Sequence, residues 1–504
     1  MPAPSSPYVL VRPPDRPVWV PELDASQQAV VDHAGGPLLV LAGPGTGKTT
    51  TIVESVAARI ERGLDPESVL VLTFGRKASA EVRERVTGRL SVVTREPLAR
   101  TFHSYAFGLL RREAARRGQP TPRLLTGAEQ TVRVRELLAG RTDRWPEAMR
   151  RAVETSGFAR ELRDLVLRAY ERGLTPADLR RLGRDHSRPE WVAAGEFMAE
   201  YAEVTALGDP SAYDPAELIR AVVDMWRADP DSLAAERAAR TAVFVDELQD
   251  TDPAQVELLS MLCGGGGDLV AVGDPDQSIY GFRGADPRAV ADFPQRFKHV
   301  DGRPAEVVAL QTSRRSGTRL LEGSRLVSRR LGPVVGGHTG HRDLQPAPGL
   351  RDGEVHVAVL RSVGQEAAHV AARLREAHLR DGVPWSQMAV IVRSTALSGP
   401  PLRRALAAAG VPVALPPDEL PLAGHPAVRP LLRLVECAVR PDRLTDEGVA
   451  HELLVSPFGG ADVLTLRRLR RALRQLELAA GGVRASDALL VDVLRDPRDL
   501  ALVP

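Results

Sequence analysis

Along the first hundred or so residues, two kinds of apolar pattern alternate. Leu38 to Leu41 and Val69-Leu-Val-Leu-Thr73 are short continuous apolar runs, the pattern of a strand covered on both faces. Thr49–Ile60 and Lys77 to about Leu90 are longer runs that suit helices, and Asp24 is placed to cap an amphipathic helical run ahead of the first strand. Strand and helix alternating to about Leu110 predict a parallel α/β layer.

From 111 to 235 the pattern changes to arginine- and glutamate-rich helical runs: Val132–Leu138, Ala159–Tyr170, Val192–Thr205 and Pro215–Trp226. This reads as a helical insertion. Strand pattern returns at Ala242-Val-Phe-Val-Asp246 and Leu269-Val-Ala-Val-Gly273, so the first α/β domain is discontinuous, 21–110 with 236–285. A second α/β section is expected over 286–415, with strands at Val307–Leu310, Glu354–Leu360 and Met388–Val392 and a helix at Glu366–Leu379. Residues 416–504 read as a further helical insertion, and 1–20 as a proline-rich arm. No internal repeat is evident.

Composition narrows this picture only modestly. The chain has 504 residues, 43% hydrophobic and 26% charged, with a net charge of +2. That length suits about three or four domains, and a nucleic-acid surface on so balanced a chain must be local. Two cysteines exclude a disulfide framework and a cysteine-based zinc site. With no signal-peptide pattern and no membrane-length apolar run, the sequence reads as cytoplasmic, with no membrane partner. Lysine stands only at Lys48, Lys77 and Lys298 among 67 basic residues. Lys48 therefore marks a place that needs a compact, rotatable ammonium rather than a planar guanidinium.

Lys48 lies in Ala42-Gly43-Pro44-Gly45-Thr46-Gly47-Lys48-Thr49-Thr50, between the first strand and the next helix. Glycines let backbone N–H groups close around an anion, and the helix N-terminus adds partial positive charge. Lys48 would reach the β- and γ-phosphates and the Thr49 hydroxyl would ligate Mg²⁺. The first glycine usual in such loops is Ala42 here. Val243-Phe-Val-Asp246-Glu247 ends an apolar strand in two carboxylates, suited to a metal ligand (Asp246) and a residue that polarises water (Glu247). Gly273-Asp-Pro-Asp-Gln277-Ser-Ile-Tyr280-Gly-Phe282-Arg283-Gly-Ala285 closes the following strand with a glutamine, two aromatics and an arginine.

Taken in order, Gln27, Ala42–Thr49, Leu72–Glu81, Thr101-Phe-His-Ser104, Val245–Thr251, Gly273–Ala285, Gln311-Thr-Ser-Arg-Arg-Ser316 and Val390-Ile-Val-Arg-Ser394 resemble the motifs of the UvrD/Rep superfamily of DNA helicases. The wording is most similar to actinobacterial AdnA-type, RecBCD-like helicase–nuclease subunits. The resemblance implies an α/β P-loop NTPase with tandem RecA-like sheets, ATP and Mg²⁺ as cofactors, single-stranded DNA as partner, and a partner helicase–nuclease subunit. It also implies roles residue by residue. Gln27 and Arg314 would contact adenine, Gln277 would sense the γ-phosphate, and Arg315 would act as an arginine finger from the second α/β domain. Phe74, Arg76, His103, Tyr280 and Phe282 would contact DNA. Leu248 and Phe282 stand where the family usually has an aromatic and often a tryptophan, and Arg314 where it often has a tyrosine.

Taken singly, Phe74 and Phe282 are also compatible with core aromatics, His103 with a structural histidine, and Arg314 and Arg315 with a solvated pair. The family's later motor motifs, a Thr-x-His-x-x-Lys-Gly-Leu-Glu-like stretch and a Thr-Arg-Ala stretch, are not found, so an incomplete second RecA-like domain is expected. The function expected is an ATP-dependent helicase or translocase, with a DNA- and ATP-binding, non-translocating subunit as the alternative. A P-loop kinase or signalling GTPase fits the carboxylate and glutamine motifs poorly.

Overall fold

The computed structural model describes residues 20–90, 96–208, 211–332, 340–414, 427–441 and 447–496, so nearly all of the expected N-terminal arm lies outside the described residues. The chain falls into two units, Met1–His356 and Val357–Pro504.

The first unit is built on a parallel sheet. Its strands are β1 (Pro37–Ala42), β2 (Val69–Thr73), β3 (Ala99–Thr101), β6 (Ala242–Val245), β7 (Asp268–Gly273) and β8 (Glu306–Leu310), in the order β3-β2-β6-β7-β1-β8. Two minor parallel pairs join β4 (Arg123–Leu124) to β5 (Ala212–Tyr213), and β9 (Thr312–Ser313) to β10 (Gln345–Pro346). The apolar runs predicted the central strands because both sheet faces are covered. Leu39, Leu41, Leu70, Leu72, Val243 and Val245 point into one core, while Leu38, Val40, Val69, Val71, Ala242 and Phe244 point into the other. Leu248, in place of the family's usual aromatic, is fully buried in the first of these cores.

The helical runs expected between 111 and 235 lie within helices Gly127–Ala139, Ser156–Glu171, Pro189–Gly208 and Pro215–Ala228. The first three share a separate core around Val134, Leu162 and Met198. Pro215–Ala228 does not join it. Its Leu218, Ile219, Val222 and Trp226 pack beneath the sheet instead.

Two expectations need correction. The Val307–Leu310 strand does not open a second sheet; β8 pairs in parallel with β1 as an edge of the first. Glu354–Leu360 and Met388–Val392 form no strand, and apolar side chains of both face solvent, with Val359 95% and Ile391 94% exposed. Alternation such as that of Val355, Val357 and Val359 marks a strand only where a neighbouring ladder receives it, and no described strand pairs with this segment. The second unit is helical among its described residues. Its helices are Val363–Asp381, Thr395–Ala408, Arg429–Val439, Glu447–Val455, Val463–Ala479 and Ser486–Arg495, with small separate apolar clusters. No described helix is long and apolar enough to cross a membrane.

Candidate nucleotide and nucleic-acid site

Parallel strands carry their C-terminal ends to one edge of a sheet, where ligands of open α/β folds bind. At that edge β1 runs into the glycine loop, β2 into Phe74, β6 into Asp246 and Glu247, β7 into Asp274, and β8 towards Arg314 and Arg315. Residues far apart in the chain therefore meet because five strands are parallel and adjacent.

The glycine loop leads into the helix Lys48–Glu61. Gly45 has φ +78°, and a Cβ there would lie 2.5 Å from Arg315 Cβ, so the loop tolerates no side chain at this point. The Lys48 ammonium lies 3.1 Å from Glu247 Oε2, and Gln249 Nε2 donates to the same oxygen at 2.6 Å. Thr46 and Gln27 brace the loop from inside. The Thr46 hydroxyl donates to Gly43 O at 2.8 Å, and Gln27 Nε2 donates to Thr46 O and Thr51 Oγ1, each at 3.2 Å. Thr49 is half-buried on the first turn, and Thr50 Oγ1 accepts from Arg85 at 2.7 Å.

Asp246 is buried, and burial, reinforced by the Glu247 carboxylate, pushes its carboxyl up to about 7. A buried acid raised in this way is a place where a cation would relieve the electrostatic cost. Together with the lysine and the glycine cradle, this donor set fits a nucleotide–Mg²⁺ complex, for which Thr49 and Asp246 would be the oxygen donors.

The structure corrects the origin of Arg315. Its segment continues directly from β8 in the first unit, and the Arg314 N–H donates to Gly45 O at 2.8 Å. The Arg314 guanidinium donates to Asp24 Oδ2 at 2.9 Å and to Thr46 O at 3.4 Å. Arg315 is exposed, and its guanidinium has no hydrogen-bond or ion-pair partner among the described residues. Gln277 Nε2 donates to Asp274 Oδ2 at 2.6 Å, which fixes the glutamine beside β7.

Three residues beyond Gln277 the chain reaches an aromatic platform. Tyr280 stacks on Phe74 with ring centroids 4.6 Å apart and lies 6.1 Å from Phe282. The Arg283 guanidinium sits 5.4 Å from the Tyr280 ring and 5.5 Å from Phe282. Phe282 is 75% exposed, so it is not a core aromatic, and Ile279 beside it is exposed as well. Arg76 is exposed at the start of the helix Arg76–Leu90. His103 is half-buried in the first turn of the helix Phe102–Arg116, where burial lowers its pKa; it stacks on none of the platform rings among the described residues. Asp24, Gln249 and Arg283 complete the site and were missed as functional residues. The first two act on other residues of the site, Asp24 on Arg314 and Gln249 on Glu247, and Arg283 stands beside the two aromatics of its motif.

Residues 23–298 match the family model of the UvrD/REP helicase N-terminal domain. The chain is also 25% identical over 470 residues to the ATP-dependent DNA helicase PcrA of Leuconostoc citreum, covering 91% of this chain and 57% of that protein. It is 29% identical over 410 residues to the ATP-dependent DNA helicase UvrD1 of Mycobacterium bovis, covering 77% of this chain and 49% of the relative. The chain thus spans about half the length of the curated relatives it matches.

Proposed function

Because this chain belongs to the UvrD/REP helicase family, we propose that it is an ATP-dependent DNA motor, a helicase or translocase acting on single-stranded DNA in DNA repair or break-end processing. The observation that carries this reading is the Lys48–Glu247 pair inside the glycine cradle, on the same sheet edge as the Phe74–Tyr280–Phe282 platform. One segment, Asp274 to Arg283, leads to the platform from the end of β7, the strand beside β1.

In this reading Lys48 and the loop amides hold the β- and γ-phosphates, and Gln27 and Arg314 flank the adenine. Thr49 and Asp246 hold Mg²⁺, which supplies charge neutralisation for the phosphate oxygens. Glu247 orients the attacking water and receives its proton, Gln277 contacts the γ-phosphate, and Arg315 stabilises charge in the transition state. Phe74, Tyr280 and Phe282 stack on bases, while Arg76, His103 and Arg283 add contacts to the strand. The direction of movement, 3′ to 5′, and a partner helicase–nuclease subunit rest on the family resemblance alone. The decisive experiment is ATP turnover with and without oligo-dT: stimulation that disappears in Lys48→Ala and in Glu247→Gln supports the reading, and stimulation unchanged by both removes it.

A second reading, a subunit that binds ATP and DNA without moving along the strand, is favoured by Glu354–Leu360 and Met388–Val392, which form no second sheet. Tight nucleotide and DNA binding without turnover would select it.

A further inference from the structure

We infer that Asp274, Asp276 and His341 form a site for a divalent transition-metal ion, Zn²⁺ or one of its close relatives, separate from the nucleotide's own metal. The starting observation is His341. Its side chain is only 2% exposed, yet among the described residues neither ring nitrogen has a hydrogen-bond partner. A buried imidazole with both nitrogens idle is costly, and such groups ordinarily mark a partner still to be supplied.

The ring is aimed at two carboxylates. His341 Nε2 lies 3.8 Å from Asp274 Oδ1 and 3.5 Å from Asp276 Oδ2, too far for good hydrogen bonds. One ligand atom from each of the three residues lies within 4.8 Å of the others. Around an ion about 2.1 Å from each donor, tetrahedral ligand atoms stand about 3.4 Å apart, so the observed spacing is close to a coordination shell. One imidazole with two carboxylates suits zinc, cobalt or manganese better than calcium or magnesium, which take oxygen donors.

The surroundings match a metal site as well. Asp274 Oδ1 accepts the Asp276 N–H at 3.0 Å and Oδ2 accepts from Gln277, so this carboxylate is already oriented. Asp276 is gripped by Arg342, whose Nε and terminal nitrogen donate at 2.6 and 2.7 Å. Each carboxylate oxygen keeps a further lone pair, and outer partners of this kind are what hold metal-ligating carboxylates in place. The two carboxylates face one guanidinium directly, that of Arg342 on Asp276, and the Lys48 ammonium acts on Asp274 from the phosphate loop.

The test uses the whole chain, stripped with a chelator and kept free of nucleotide and Mg²⁺. It is titrated with Co²⁺ followed by visible absorption, and with Zn²⁺ by equilibrium dialysis and thermal unfolding. One saturable equivalent is expected, with Zn²⁺ displacing Co²⁺ and raising the unfolding midpoint. His341→Gln and Asp276→Asn should each weaken binding by about tenfold or more, whereas Asp301→Asn, on the surface, should leave it unchanged. No saturable ion on the native chain, or no rise in midpoint with zinc, overturns the site even if a variant fails to fold. Binding that survives both ligand substitutions places the ion elsewhere and also overturns it. Neither result bears on ATP turnover, so this inference and the motor reading fail separately.

Discussion

The Lys48 ammonium and the Glu247 carboxylate meet at 3.1 Å across 199 positions of sequence. Glu247 adopts φ 55°, left-handed backbone that is uncommon outside glycine. The chain takes this conformation at the residue proposed to activate water, and Gln249 donates to the same carboxylate oxygen as Lys48.

From this pair we expect Glu247→Gln to keep nucleotide affinity while lowering turnover by about 10²–10⁴-fold. Lys48→Ala is expected to lose binding and turnover together. Fluorescent-nucleotide titration beside steady-state phosphate release separates the two, and equal loss of binding in both variants would contradict the division of labour.

The Arg315 side chain is exposed and its guanidinium has no partner among the described residues, so Arg315→Ala should leave folding untouched. If it acts as the arginine finger, turnover falls by about 10³-fold or more with nucleotide affinity retained. A variant with native turnover would remove that role.

The platform makes a different prediction. Tyr280→Ala should weaken oligo-dT binding by about 1–3 kcal/mol, the usual value of one stacked base, and Phe282→Ala by a similar or smaller amount. Because Phe282 is 75% exposed, its substitution should leave thermal stability within about 0.5 kcal/mol. Fluorescence anisotropy and a melting curve suffice to check both.

Gly284 turns the chain after the platform at φ +88°, and a Cβ there would run into the Glu171 carboxylate of the helical insertion. Gly284→Ala is expected to cost about 1–3 kcal/mol from the backbone alone. Glu171→Ala in the same chain should recover only the steric part, as urea unfolding would show.

Burial, outweighing the opposing Arg168 guanidinium, pushes Glu171 up to about 8, with Asp252 adding to the rise. An unfolded glutamate titrates at about 4.3. Between these values the folded chain holds a proton that the unfolded chain releases, so this contribution to stability fades as pH rises through about 8. Glu171→Gln should therefore raise the unfolding midpoint relative to the native chain more at about pH 8.5 than at about pH 5.5. A difference that does not change with pH would exclude Glu171 as the titrating group.

The central strands were readable because continuous apolar runs such as Leu38–Leu41 mean burial on both faces, and the glycine cradle because its chemistry is local in sequence. β8 was misplaced because an apolar run reveals that it pairs, but not with which sheet. Glu354–Leu360 shows the opposite limit: alternation is only a request for a ladder, and the request is unmet here. His341 was beyond sequence reasoning, since its meeting with Asp274 and Asp276 depends on how the turn Gly340–Arg342 packs rather than on any spacing along the chain.

The placement of β8 has a mechanical consequence. Arg314 is tied through its own backbone to Gly45, and β8 is zipped to β1 along its length. A pull on Thr312–Ser316 is therefore transmitted to the phosphate loop without passing through bound nucleotide. Arg315 cannot approach or leave that loop as a passenger on a sliding segment. Its travel is limited to rotation of its own side chain unless the bonds from Ser313 and Arg314 to Pro44, Gly45, Thr46 and Asp24 break first, which makes that set of contacts a latch whose release sets how far the arginine can reach.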